Sequence, residues 1–413
     1  MSPFAHSVYS YSTMTWEELA KELSVQTDSK IVLLVIDGLG GLPVRDKTEL
    51  ETAETRHLDR LTLRGCCGVT DPVFMGITPG SGPAHLALFG YDPLRYRLGR
   101  GILEALGSDV EVERGDLVAR GNFATFKNGL ITDRRAGRIP TSECERLCHI
   151  LNKAFSGRKD PEFAFFPGKE HRFVARFRAP GLADQLTDAD PQEDHRPPVP
   201  AHPLAPESAK AAGVVNRFLE DVMSVLKSEP VANAVLLRGF SVQPSIPQIP
   251  DLYRLRPAAI ANYPMYRGLA KLLGMTAYPA GPATQDLFNT LEAHWAEHDF
   301  FYIHYKKTDA AGEDGNFEAK VRAIEEIDAF IPRIEALAPE VLVVTADHST
   351  PSLAKGHSFH PNPFLLVAPT ALPDATGVFT ERECARGLLG RFRSIYAMPL
   401  MLAHAAKLKK FGA

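Results

Sequence analysis

The chain has 413 residues, 45% apolar and 23% charged, a globular composition that excludes wholesale disorder and fibrous classes. Its net charge is −4, with 46 basic against 50 acidic residues and no dense basic run, so no nucleic-acid partner is expected. The longest clean apolar run is the six residues IVLLVI at 31–36, against the roughly 20 that a membrane span needs, so no membrane association is expected.

The N-terminal stretch MSPFAHSVYSYSTMTWEEL has no basic n-region and no apolar h-region, so no secretory signal is expected. Thr15 followed by Glu18 forms a capping-box pattern for a helix at about 16–24. IVLLVI at 31–36, DFFYIHY at 299–305, VLVVT at 341–345 and PFLLVA at 363–368 are apolar through both faces. Such runs suit strands buried on both sides of a mainly parallel sheet. Between Pro180 and Pro206 the chain carries seven prolines in 27 residues, which predicts a long loop or lid. Ser208–Lys227 returns to helical spacing, with Val214, Val215, Phe218, Leu219, Val222 and Leu226 on one face. Asn316–Leu337 reads as a helix, with Val321, Ile324, Ile327, Ile331 and Ile334 in phase. Leu400–Leu408 reads as a closing helix with basic residues in its last turn.

The cysteines are Cys66, Cys67, Cys144, Cys148 and Cys384, with no C-x-x-C pair. Reduced thiols are expected, which places the protein in the cytoplasm.

The residues that can carry chemistry lie near both ends of the chain. Asp37 follows the apolar run 31–36 in VIDGLGG. A carboxylate at the carboxyl end of a buried parallel strand points into the crevice where ligands of open α/β sheets bind. The same pattern recurs at VLVVTADHS, where Asp347 and His348 offer an oxygen and a nitrogen ligand side by side, with His357 nine residues on. A third run, FFYIHY, leads into KKTDAAGE, where one helical turn would put Asp309 and Glu313 on one face. Three strand-end carboxylates with imidazoles can hold two divalent metals about 3.5–4 Å apart. Ser81 lies in GITPGSGPAHLALFGYD, just before an apolar helical pattern, where a helix N-terminus favours phosphate. A metal beside it would make its hydroxyl a nucleophile. Basic residues cluster in the middle of the chain: Arg134, Arg135 and Arg138 in TDRRAGR, His171 and Arg172 in EHRF, and Arg238 in LLRG. Arginine forks bind phosphate and carboxylate bidentately, so an anionic substrate is expected.

The set resembles the cofactor-independent phosphoglycerate mutases of the archaeal type, within the alkaline phosphatase superfamily. The resemblance spans nearly the whole chain and rests on VIDGLGG, TPGSGPAHLALFGYDP, GDLVARGNFAT, ITDRRAGRI, EHRF, TDADPQE, LLRG, YRGLAKLLGM, TDAAGEDG and TADHSTP with HSFHPNP. It implies an α/β fold, an alkaline-phosphatase-like sheet flanked by helices, with an inserted smaller α/β (α+β) domain. The expected division is 1–110 with 251–413 as the metal-binding domain, and 111–250 as the substrate-binding insert. It implies one metal held by Asp37, Asp347 and His348 and touching the nucleophile Ser81, and a second held by Asp309, His357 and the residue at 313. Mn2+ or Mg2+ are the expected ions. It implies interconversion of 2- and 3-phosphoglycerate through phosphoserine, with Arg134, Arg135, Arg138, His171, Arg172 and Arg238 binding the glycerate, and Arg267 is expected to bind the substrate phosphate through its guanidinium fork. The alternative is a metal-dependent phosphatase or phosphotransferase for another small phosphorylated metabolite. Three positions depart from the family pattern: Glu313 replaces a histidine, Gly82 an acidic residue, and Arg267 a lysine expected to reach the phosphate.

Overall fold

The computed structural model describes residues 14–374 and 376–412, so most of the stretch read for a secretory signal lies outside the described residues. In chain order the strands are β1 (Ile31–Ile36), β2 (Gly65–Asp71), β3 (Leu117–Lys127), β4 (Leu130–Asp133), β5 (Glu162–Pro167), β6 (Arg172–Arg178), β7 (Ala234–Val242), β8 (Pro257–Ile260), β9 (Thr276–Tyr278), β10 (Phe300–Tyr305), β11 (Val341–Thr345), β12 (Asn362–Val367) and β13 (Gly390–Arg393). They fall into two compact units, Met1–Tyr96 with Pro247–Asn262 and Leu273–Ala413, and Arg97–Ile246 with Tyr263–Leu272.

The first unit holds an eight-stranded sheet in the order β13-β2-β12-β11-β1-β10-β8-β9. β1 is buried at every residue, as six consecutive apolar positions dictate. It pairs in parallel with β10 on one side and β11 on the other. β12 runs antiparallel to both of its neighbours, β11 and β2. The carboxyl ends of β11, β1 and β10 therefore lie side by side at one edge, where β2 also ends and β12 begins. Helices pack on this sheet through a core that includes Leu58, Leu287, Ile324, Ile327 and Ile331.

The second unit is a five-stranded antiparallel sheet, β4-β3-β6-β5 with β7 also on β3. Helices Thr141–Ala154 and Ala209–Val225 contribute Leu147, Leu151, Val215, Phe218 and Val222 to its core, where Phe155, Phe165, Phe173 and Phe177 also pack.

Several expectations change in detail. The first helix is Trp16–Leu23 with the Thr15–Glu18 capping box present. The expected helix 316–337 is two, Phe317–Asp328 and Ile331–Ala336. Pro332 lacks an N–H and its ring opposes the carbonyl four residues back, so the helix stops at Asp328 while the apolar phase carries on. The closing helix is Ala397–His404, earlier than expected, because Pro399 is tolerated in a first turn. Ala406 then turns left-handed, so Lys407, Lys409 and Lys410 follow the helix. The stretch 180–206 has no regular element before the 3-10 turn Pro206–Ser208, but it is closed on itself by a bridge from Leu186 to Pro203 and pinned to its unit by bridges from Ile131 to Arg196 and Ala189 to Leu237.

The unit boundary also moves. The expected insert began at residue 111, yet helix Arg100–Gly107 belongs to the second unit with helix Pro264–Leu272. Two glycines bring these helices together: a Cβ on Gly107 would lie 1.8 Å from the Pro264 carbonyl oxygen, and one on Gly268 1.8 Å from that of Leu103. A contact built from missing side chains leaves no apolar signal to read.

Gly268→Ala tests this contact. Alanine gains about 0.5–1 kcal/mol of helix propensity, but the clash is with backbone and overpacking costs about 1–3 kcal/mol. Urea denaturation should show a net loss of stability.

Candidate active site

Asp37, Asp347 and Asp309 follow β1, β11 and β10, three adjacent strands, and all three are fully buried. Asp309 sits in helix Lys307–Glu313, which leaves β10 almost at once. Gly38 makes the approach possible: its φ is +67°, and a Cβ there would lie 2.6 Å from Thr350 Oγ1 and 2.8 Å from Asp309 Cβ. His348 is also fully buried. His357 precedes β12, so the antiparallel strand returns it to the same edge. Ser81 opens helix Ser81–Leu88, its Oγ 3.3 Å from His348 Nε2.

Two sets of ligand atoms lie within 4.8 Å of one another: Asp37 with Asp347 and His348, and Asp309 with His348 and His357. Hydrogen bonds decide where His348 belongs. Its Nδ1 meets the Thr350 hydroxyl at 3.0 Å, leaving Nε2 at 3.3 Å from Asp37 Oδ1 and 3.1 Å from Asp347 Oδ2. His357 Nδ1 is engaged by the Pro79 carbonyl at 3.0 Å, leaving Nε2 at 3.7 Å from Asp309 Oδ1. Each imidazole thus has one nitrogen oriented by a neighbour while the other faces the carboxylates. Glu313 is outside both tight sets. Its side chain is 56% exposed, with Oε1 4.0 Å from His357 Nε2.

The electrostatics follow from burial. Desolvation raises the Asp37 carboxyl, but the His304 hydrogen bond and the His348 and Lys306 charges outweigh it and hold it well below the usual range. Burial lowers His348, yet Asp347, Asp37 and Asp309 together lift it to about 9. Lys306 Nζ bridges Asp37, at 3.0 Å, and Asp309. Burial lowers the Lys306 ammonium and these two carboxylates more than restore it. His85, behind Asp347, is driven by burial to about 4 and is neutral.

The second unit gathers some of its expected residues and not others. Arg134 makes a two-pronged bond to the buried Asp190, at 2.7 and 2.8 Å, and Arg238 Nε lies 3.1 Å from the same carboxylate. Arg238 stands directly opposite Arg120 on β3. These two line a cleft of about 320 Å³ with Arg100, Asp188, Gln192 and Gly239. His171 is buried, its Nδ1 without a hydrogen-bond partner among the described residues, and burial with the Arg172, Arg135 and Arg120 charges takes it to about 4. Arg135 and Arg138 are exposed. Arg267 donates to the Gly107 carbonyl at 2.8 Å, stitching the two close-packed helices.

Residues 63–232 match the family model described as 2,3-bisphosphoglycerate-independent phosphoglycerate mutase. A Thermosipho africanus protein named "Probable 2,3-bisphosphoglycerate-independent phosphoglycerate mutase" is 51% identical, covering 96% of this chain and 99% of that relative. One of the same name from Thermus thermophilus is 50% identical over 95% of this chain and 98% of its own. The chain belongs to this family. Among solved structures, a Pyrococcus horikoshii protein aligns with TM-score 0.80 and 28% identity, over 93% of this chain and 99% of its own. The cofactor-independent phosphoglycerate mutase of Thermoplasma acidophilum aligns with TM-score 0.69 and 28% identity, over 91% of this chain and all of its own. The α/β fold is thus shared with members of this family.

The residues at the sheet edge fit divalent cations. Three carboxylates with no solvent exposure converge on two imidazole nitrogens, oxygen and nitrogen donors of the kind that hold divalent cations. Lys306 and His304 were not read from the sequence as site residues, although His304, 2.9 Å from Asp37 Oδ2, is a polar residue inside an apolar strand run. Lys306 reaches this edge, where its ammonium bridges Asp37 and Asp309. Arg100 and Arg120 were missed as well, though GDLVARGNFAT carries the second.

Asp309→Asn should lose the cation of its own set and keep the one at Asp37, Asp347 and His348. Equilibrium dialysis against Mn2+ should therefore show half the wild-type stoichiometry.

Proposed function

We propose that the protein interconverts 2- and 3-phosphoglycerate by passing the phosphoryl group through Ser81. One observation carries the reading: the hydroxyl of Ser81 opens a helix and lies 3.3 Å from His348, among the buried ligand sets, in a chain of this family. The helix N-terminus turns its free N–H groups and positive dipole end toward an incoming phosphate. As the Ser81 Oγ–P bond forms, the ester oxygen of the substrate leaves; the proton lost by Ser81 is matched by the one gained on the freed glycerate hydroxyl. In the second half the P–Oγ bond breaks as the other glycerate hydroxyl attacks. No water and no second phosphate enters the balance, so an isomerisation results.

Asp37, Asp347 and His348 would hold one divalent cation beside Ser81, and Asp309, His357 and Glu313 a second. Bound there, such ions lower the hydroxyl pKa and neutralise charge on the attacking and leaving oxygens. Lys306 adds a fixed cation at the same edge. The arginine cleft of the second unit suits a small anionic ligand, with Arg100, Arg120 and Arg238 as binding residues alongside Arg134, Arg135, Arg138, His171 and Arg172. The cytoplasm is the matching compartment, since all five cysteines are buried free thiols.

Two outcomes test the reading. Ser81→Ala should abolish transfer of label from 3- to 2-phosphoglycerate and leave no phosphoryl group on the protein after rapid quench. Release of inorganic phosphate by the wild type instead of isomerised product would point to a phosphatase. Glu313→His addresses the second cation. A carboxylate adds a hard oxygen and a negative charge, which suit Mn2+ and Mg2+ over Zn2+. The variant should shift the activation order toward Zn2+, measured by assaying each metal in turn.

A further inference from the structure

Lys320 is fully buried in helix Phe317–Asp328, one face of which packs on the sheet core. A buried ammonium is costly unless it is paired and hydrogen-bonded. Here Nζ donates to the Gly40 carbonyl at 2.9 Å and to the Thr350 carbonyl at 2.8 Å. Gly40 follows Asp37 by three residues, and Thr350 follows His348 by two. The ammonium therefore joins the two loops that carry the first ligand set. Those loops already touch: Thr350 N–H donates to the Gly38 and Gly40 carbonyls at 3.2 and 3.1 Å.

The same Thr350 reaches both sets. Its hydroxyl donates to Asp309 Oδ1 at 2.6 Å and meets His348 Nδ1 at 3.0 Å. Burial lowers the Lys320 ammonium to about 8, against the opposing fields of Glu49, Glu381 and Asp309. Glu381 accepts from Gly41 N–H at 2.8 Å and Thr48 Oγ1 at 2.8 Å, and Glu49 accepts from Ser352 N–H at 2.8 Å. These carboxylates thus brace the far sides of the same two loops.

We propose that Lys320 is a positioning residue for both cation sets, fixing the Asp37 and His348 loops against each other and, through Thr350, orienting Asp309 and His348. The proposal rests on the two-cation reading of the site and not on the identity of the substrate. Outer partners that orient ligands are worth roughly 10–100-fold in metal affinity.

The test is Mn2+ titration of wild type and Lys320→Met by calorimetry and electron paramagnetic resonance, with thermal melting of the metal-free proteins as a separate measure of folding. The expected result is a folded variant whose Mn2+ affinity falls roughly 10–100-fold. A purely structural lysine would lower Tm and leave the affinity of the folded protein intact, and that result overturns the proposal. Should Lys320→Met fail to fold, Thr350→Val decides. It should weaken Mn2+ binding similarly while Thr350→Ser restores it, and wild-type affinity in Thr350→Val overturns the relay. A wild type that binds no Mn2+ removes the two-cation reading and the proposal with it, an outcome distinct from bound cations indifferent to Lys320.

Discussion

The structure is organised around the mutual repulsion of three buried carboxylates. Like charges brought together out of water repel far more strongly than they would in it, because the low dielectric screens them poorly. Asp37, Asp309 and Asp347 have no solvent to screen them. Everything around them answers that charge: Lys306 between Asp37 and Asp309, His304 against Asp37, and His348 raised above its usual pKa. A site that draws protons and ammonium groups so strongly is also one that draws divalent cations, and Ser81 stands beside it.

Much of this was legible because the parallel sheet writes itself into the sequence. Strands buried on both faces read as unbroken apolar runs, and the polar residue that ends each run marks the sheet edge. IVLLVI-Asp37 and VLVVT-Ala346-Asp347 point to that edge from their spelling alone. What the runs do not give is strand order. That β11, β1 and β10 are neighbours, and that antiparallel β12 brings His357 back to the same edge, are properties of the sheet alone. Second-layer residues were also invisible. Lys320 reads as one polar residue in an amphipathic helix, and nothing in its spacing announces two carbonyls at its tip.

The second unit hides its chemistry in register. Arg120 and Arg238 are over a hundred residues apart and become neighbours only through the pairing of β3 with β7. Like charges directly opposite on a sheet are destabilising, and here a buried carboxylate, Asp190, stands against Arg238 and Arg134. That carboxylate comes from the proline-rich stretch, which is held to the sheet by its neighbours too: Asp188 accepts from Gly239 N–H and Asp184 from Val242 N–H, both in the second half of β7. The helix pairing at Gly107 and Gly268 escaped for the opposite reason, since it depends on side chains that are not there.

The most direct test is anomalous diffraction at the manganese edge from crystals of the protein grown with Mn2+. The account predicts two peaks at the carboxyl edge of the central strands, one ligated by Asp37, Asp347 and His348 beside Ser81, the other by Asp309, His357 and Glu313. A single ion bound elsewhere, or ordered Asp37, Asp309 and Asp347 side chains with no ion among them at saturating Mn2+, would contradict it.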